Sequence, residues 1–172
     1  ERWAPEVSGT CPQHFWYKLA ASWARDKTIL DVGAGTGYGI DMIRAVRPRM
    51  IVGIDPAPMR GDIAPQPLGA FSNQSYEGVL VIDVIEHVED DAGFLKQLLR
   101  VAREFVFIST PNWNRWRCQN EFHCREYTPD ELGVLLSGLR CTYWSADDNG
   151  GVKPIATLAE AESHFGVRIE VG

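Results

Sequence analysis

Four glycines at alternate positions, Gly33, Gly35, Gly37 and Gly39, follow an apolar run that carries Asp31 near its end (ILDVGAGTGYG, residues 29–39). Glycine at that density lets a backbone approach a ligand closely. The dinucleotide pattern GxGxxG is absent, because Tyr38 stands where its last glycine would fall. No Lys-Ser/Thr pair follows the glycines, so a P-loop is absent too. Asp31 narrows the choice. A carboxylate at the end of a strand would repel a pyrophosphate seated at the next helix N-terminus, and it suits a ligand with a cationic end. S-adenosylmethionine, with a sulfonium, an α-ammonium and no phosphate, is such a ligand. Asp55 closes the next apolar run, where a carboxylate accepts from both hydroxyls of a ribose. Alone it fits a nicotinamide dinucleotide equally well. Together with Asp31 it favours S-adenosylmethionine.

Reactive side chains recur farther along, in DVIEHVED and NEFHCREYT. Methyl transfer from a sulfonium is an in-line displacement, for which a protein aligns the nucleophile, excludes water and takes or polarises a hydroxyl proton. His87 and His123 are the candidates for that proton, although each read alone fits a structural hydrogen-bonding histidine as well. The stretch NWNRWRCQ (residues 112–119) interleaves Trp113 and Trp116 with Arg115 and Arg117. Such a loop stacks on a base or sugar, or caps a pocket.

The elements that must position these residues are legible from periodicity. Phe15, Trp16, Leu19, Ala20 and Trp23 recur at helical spacing and predict an amphipathic helix over about 13–25, after an extended arm. Trp16 and Tyr17, with Trp3 of the arm, serve either as core or as one wall of the site. TILDV, MIVGID, GVLVIDVI and FVFIST read as buried strands, the last ended by Pro111. GYGIDMIRAVR reads as a helix stopped by Pro48, and Phe94, Leu95, Leu98, Leu99 and Ala102 as one face of another. Residues 56–77 are rich in proline and glycine and read mostly as loop. TPDELGVLLSGL carries a capping box, Thr128 to Glu131, with Pro129 at the first helical position. CTYWSA and VRIEV are two late strands around an Asp-Asp-Asn-Gly-Gly turn and a short helical piece near 157–164. Strands alternating with helices imply a doubly wound α/β sheet, mainly parallel, with ligands at the carboxyl ends of the strands.

The chain has 172 residues, 45% of them hydrophobic, with a net charge of −6. That length predicts one domain, divided into an N-terminal arm and helix (1–26), a cofactor-binding core (27–110) and an acceptor loop, helix and late strands (111–172). The acidity makes nucleic acid an unlikely partner. No apolar stretch reaches the length of a membrane span and no signal peptide is visible, so the expected location is cytoplasmic, without membrane partners. The chain opens at Glu1 without a methionine, as a trimmed or partial chain would. Cys11, Cys118, Cys124 and Cys141 form no CxxC pair and read as idle thiols of a reducing cytosol.

Taken in order, ILDVGAGTGYG, VGIDPA, SYEGVLVIDVIEHVED, FVFISTPN and HCREYTPDEL resemble the motifs of the class I S-adenosylmethionine-dependent methyltransferases, over about residues 27–136. Within that family the chain is most similar to the branch of ubiquinone-type O-methyltransferases and small-RNA 3′-end 2′-O-methyltransferases. The resemblance implies a single Rossmann-like sheet with a late antiparallel strand. It implies that the cofactor's methionine end sits against Asp31, Gly33, Ala34 and Gly35, its ribose on Asp55, with Tyr38, Pro56, Asp83 and Val84 close by. In the family about twenty more residues usually follow the ribose acid and supply a strand and helix; here only Pro56 to Tyr76 remain, so a reduced sheet edge on the adenine side is expected. Asp62 and Ile63 resemble the adenine pair but come early. The small-RNA enzymes carry a metal-binding E-x-x-E-H with a later histidine. Asp83, Glu86, His87 and His123 resemble it, with Asp in the first place, which makes Glu86, His87 and His123 alternative ligands of a divalent metal. The metal-free reading is preferred, with His87 and His123 as catalytic groups and a small-molecule or sugar hydroxyl as acceptor. A non-catalytic cofactor-binding subunit is the third reading.

Overall fold

A computed structural model describes residues 12–117 and 120–172. The N-terminal arm, with Trp3 and Cys11, and the loop positions Cys118 and Gln119 lie outside the described residues. One sheet runs through the molecule, built from β1 (Thr28–Val32), β2 (Met50–Ile54), β3 (Ile63–Ala64), β4 (Tyr76–Ile82), β5 (Ala102–Pro111), β6 (Arg140–Ala146), β7 (Val152–Ile155) and β8 (His164–Glu170). Its strand order is β3-β2-β1-β4-β5-β8-β6-β7. The first five positions pair in parallel; β8 runs antiparallel to both β5 and β6, and β7 antiparallel to β6.

All seven residues of β4 are buried, because both faces of the sheet are covered. Its side chains alternate between two cores. Val79 and Val81 join Leu95 and Leu98 of α3 (Asp91–Val101) and Leu132 of α4 (Pro129–Leu135) on one side. Leu80 and Ile82 join Trp16, Tyr17 and Ala20 of α1 (Pro12–Ala24) and Ile43 of α2 (Tyr38–Ala45) on the other. Continuous apolar runs without alternation are what such a two-sided strand requires. The expected capping box is present, with Thr128 accepting from the Glu131 N–H and Glu131 reaching back.

Several local expectations are corrected. Helix α2 ends at Ala45, before Pro48, because Arg47 takes the left-handed conformation (φ 58°) and residues preceding proline avoid the helical region. Ala102 is the first residue of β5, not the last face of α3. Val152–Ile155 is a strand, and the helical piece after it shrinks to the 3-10 turn Leu158–Glu160. The sheet edge beyond β2 is reduced as expected: β3 is two residues long.

Candidate active site at the carboxyl ends of the strands

The glycine loop leaves β1 and is fastened at once to β2. The Gly33 and Ala34 N–H groups both donate to the Ile54 carbonyl, at 2.8 and 3.0 Å. Gly33 has φ +79° and lies so close to Val84 that a Cβ would sit 2.4 Å from its Cγ2, so only glycine serves there. Asp55 then ties the loop down, Oδ2 accepting from the Gly35 N–H at 3.0 Å and Oδ1 from the Ala57 N–H at 2.8 Å. Ala34 is buried beneath the loop, and Pro56 is exposed beside Asp55.

Asp31 is fully buried, and the Tyr17 hydroxyl of α1 donates to it from 3.0 Å of both carboxylate oxygens. Burial pushes the Asp31 carboxyl up to about 7; the Tyr17 hydrogen bond opposes that rise and the Asp55 charge adds to it. Tyr38 packs edge-on against Tyr17 at 5.4 Å and donates to Gln13 at 3.2 Å. After β4, Asp83 adopts φ 51°. Its N–H donates to the Ser109 carbonyl at 3.1 Å, and the buried Ser109 hydroxyl donates to its Oδ1 at 2.6 Å.

Asp62 and Ile63 are placed differently from the rest. The Asp62 carboxylate is exposed and held by Arg60 at 2.7 Å and Arg44 at 2.8 Å, while the Ile63 N–H donates to the Arg60 carbonyl. The same Arg60 guanidinium lies over Gly37 and pairs with Asp41 at 2.6 Å, so an ion-pair cluster covers the shortened edge.

His87 and His123, far apart in the chain, come together in the structure. Their rings meet edge to face at 4.8 Å. His87 ends the 3-10 turn Ile85–His87, and its Nδ1 lies 2.8 Å from the Phe122 carbonyl. A carbonyl can only accept, so Nδ1 carries the proton and the neutral ring keeps its lone pair on Nε2. The His123 Nδ1 lies 2.7 Å from Glu126 Oε1, which fixes that ring in the same way. Glu86 is buried with Thr110 donating to its Oε2 at 3.1 Å, and burial together with the Asp83 charge holds its carboxyl well above the usual range. One ligand atom from each of Glu86, His87 and His123 falls within 4.8 Å of the others. The Nε2 atoms of two rings held through Nδ1 by oxygen partners, with one carboxylate, are a donor set that fits Mn²⁺, Fe²⁺ or Zn²⁺ better than Mg²⁺. Asp83 is not in that set; its carboxylate is engaged by Ser109.

The loop beyond β5 is anchored by Asn112, which donates to the Ala161 and Glu162 carbonyls at 3.0 and 2.9 Å. Trp116 packs against His164 at 4.6 Å and Arg117 over Trp113 at 5.1 Å. Trp16 is core, and Tyr17 reaches the site through its hydroxyl alone. Cys124 and Cys141 are free thiols. No helix among the described residues is long and apolar enough to cross a membrane. Sequence reasoning missed Ser109, Thr110 and Glu126. The H-x-x-E spacing of His123 and Glu126 was the available signal for the last, and two hydroxyls at the end of an otherwise apolar strand for the others.

Residues 13–145 match the methyltransferase-domain family. The chain is 30% identical to a probable S-adenosylmethionine-dependent methyltransferase of Mycolicibacterium smegmatis, over 93% of this chain and 71% of that protein. It is 31% identical to one of Mycobacterium tuberculosis over 70% of this chain, and spans half of that protein's length. Among solved structures it is similar in fold to the small RNA methyltransferase HEN1, with TM-score 0.73, 15% identity, and coverage of 99% of this chain and 26% of HEN1.

Proposed function

This chain belongs to the S-adenosylmethionine-dependent methyltransferases, and on that premise we propose that its acceptor is a hydroxyl of a small molecule or sugar. The observation that carries this reading is the His87 ring, its Nδ1 committed to the Phe122 carbonyl and its Nε2 free to accept a proton at the mouth of the parallel strands. A hydroxyl, unlike a neutral amine or a thiolate, needs such a base. In this reading Asp31 faces the cofactor's cationic end and Asp55 its ribose. Gly33, Ala34 and Gly35 let it approach the backbone, and Tyr38, Pro56, Asp83 and Val84 surround it. Asp62 and Ile63 are left out, because their polar groups are already engaged with Arg60 and Arg44. When bound, S-adenosylmethionine would supply a methyl group on a sulfonium leaving group, and His87 Nε2 would take the proton of the acceptor hydroxyl.

The Glu86, His87 and His123 cluster favours a second reading, since its donor atoms already stand within 4.8 Å of one another. A divalent cation held there would acidify and grip a pair of vicinal hydroxyls, which moves the acceptor toward a ribose at an RNA end. The test uses methyl-labelled cofactor with a panel of phenols, diols, sugars and short RNAs, before and after exhaustive chelation. Labelled small molecule or sugar with chelated protein supports the first reading. Activity lost on chelation, restored by Mn²⁺ and confined to RNA ends replaces it with the second.

A further inference from the structure

We propose that Tyr17 is a positioning residue of the cofactor seat, and that through it helix α1 and the bound cofactor stabilise one another. The inference rests on the reading of Asp31 as the acceptor for the cofactor's cationic end. Asp31 and Tyr17 are both buried, and the hydroxyl stands 3.0 Å from each carboxylate oxygen. The ring reaches that point through a notch in α2. A Cβ on Gly39 would fall 2.1 Å from the Tyr17 Cζ, so the absence of a side chain at Gly39 admits the ring. The helix is seated by Trp16, Ala20 and Ala24 in the core and tied again to the start of α2 by the Tyr38 bond to Gln13.

The groups acting on Asp31 from the neighbouring elements are Tyr17 of α1 and Asp55 after β2; Tyr38 of α2 and Asp83 after β4 face Tyr17 in turn. None of these is a cation. A buried carboxylate without a cationic partner among the described residues is costly to ionise. Tyr17 supplies a neutral donor that favours the ionised form, in keeping with the rise of that carboxyl to about 7 under burial and its opposition by Tyr17. A ligand ammonium binds the ionised form, and whatever α1 contributes to that form the ligand returns to the docking of α1, because coupling between two sites is reciprocal.

Calorimetric titration with S-adenosylhomocysteine, which retains the α-ammonium, tests this between pH 5.5 and 9 on the wild type, Tyr17→Phe and Asp31→Asn. Tyr17→Phe keeps the ring in its notch, and a thermal melt verifies its fold. Wild-type affinity should rise with pH and level off near 7. Tyr17→Phe should bind roughly tenfold more weakly at pH 7, about one hydrogen bond to a charged group, and level off at higher pH. Hydrogen exchange of the amides of 12–24 should slow on adding ligand to the wild type and change much less in Tyr17→Phe. Wild-type affinity and pH profile in Tyr17→Phe overturn the proposal, as does a weaker variant whose profile and exchange response are unmoved. If Asp31→Asn binds as the wild type does, the cofactor-seat reading fails and the proposal with it. If Asp31→Asn is weakened and Tyr17→Phe is not, the proposal alone fails.

Discussion

Asp55→Ala separates what the carboxylate does for the protein from what it does for the ligand. Without ligand, its two oxygens hold the Gly35 and Ala57 N–H groups. Removing it takes the carboxylate from two backbone donors, costing about 1 kcal/mol each at the low end of the range for a lost bond. For a domain of this size about 2 kcal/mol lowers Tm by about 4–8 °C. With cofactor bound, two ribose hydroxyls lose a charged acceptor. At about 1.5 kcal/mol each, the weak end because the carboxylate is shared with the backbone, the loss is about 3 kcal/mol, or roughly a hundredfold in affinity. Calorimetry with S-adenosylhomocysteine and its 2′,3′-dideoxy analogue isolates the second effect. The wild type should discriminate between the two by about a hundredfold, and Asp55→Ala should barely discriminate. A variant that still prefers the ribose form as strongly as the wild type would show that the hydroxyls are held elsewhere.

Gly33→Ala combines a left-handed φ, costing about 1–2 kcal/mol, with an overlap against Val84 worth about 1–3 kcal/mol. Its melting point should fall by about 5–15 °C, and an unchanged melt would mean that loop and Val84 separate freely. Asp31 and Glu86 both have carboxyls raised in the folded state, Asp31 to about 7. Between the unfolded value of about 4 and those folded values the native state binds more protons, so cofactor-free stability should fall as pH rises from about 4 to 7. Asp41, Asp62, Glu77 and Glu131 are lowered and act oppositely, losing their contribution below about pH 4. The buried His164 is lowered as well and offsets part of that fall below about pH 6.5, so the decline in melting temperature should show most clearly between about pH 6.5 and 7 and be reduced by saturating S-adenosylhomocysteine; a profile rising through that window counts against the buried carboxylates. His87→Ala should lower turnover about a hundredfold with ligand affinity unchanged, as loss of a general base does. A matching loss of S-adenosylhomocysteine affinity would place the ring at the cofactor instead.

The parts legible in the sequence are those decided by neighbours in the chain. The Thr128 capping box, the two-sided apolar runs of β1 and β4, and the glycine loop between Asp31 and Asp55 depend on spacing over a few residues. The reduced edge after Asp55, where β3 is two residues long, was visible as a simple shortage of chain. What escaped was settled across the sheet. Tyr17 read as core or as a wall of the site, but its bond to Asp31 did not show, because only the packing of α1 on α2 brings its hydroxyl there. Ser109 and Asp83 meet because β4 and β5 are adjacent. Strand β7 carries Pro154 and alternates poorly, and it exists because β6 offers it an edge.

Strand β8 lies between β5 and β6, and those two do not pair with each other. The β6–β7 hairpin is local and can form early, yet its hydrogen-bonded connection to the parallel half waits for β8, whose partner β5 is far away in the chain. The two half-sheets are thus joined through β8 and not directly to one another. Gly166 of β8 also lies against the Trp16 ring, where a Cβ would stand 2.5 Å from Cζ3. The closing strand thus completes the floor beneath the helix that carries Tyr17.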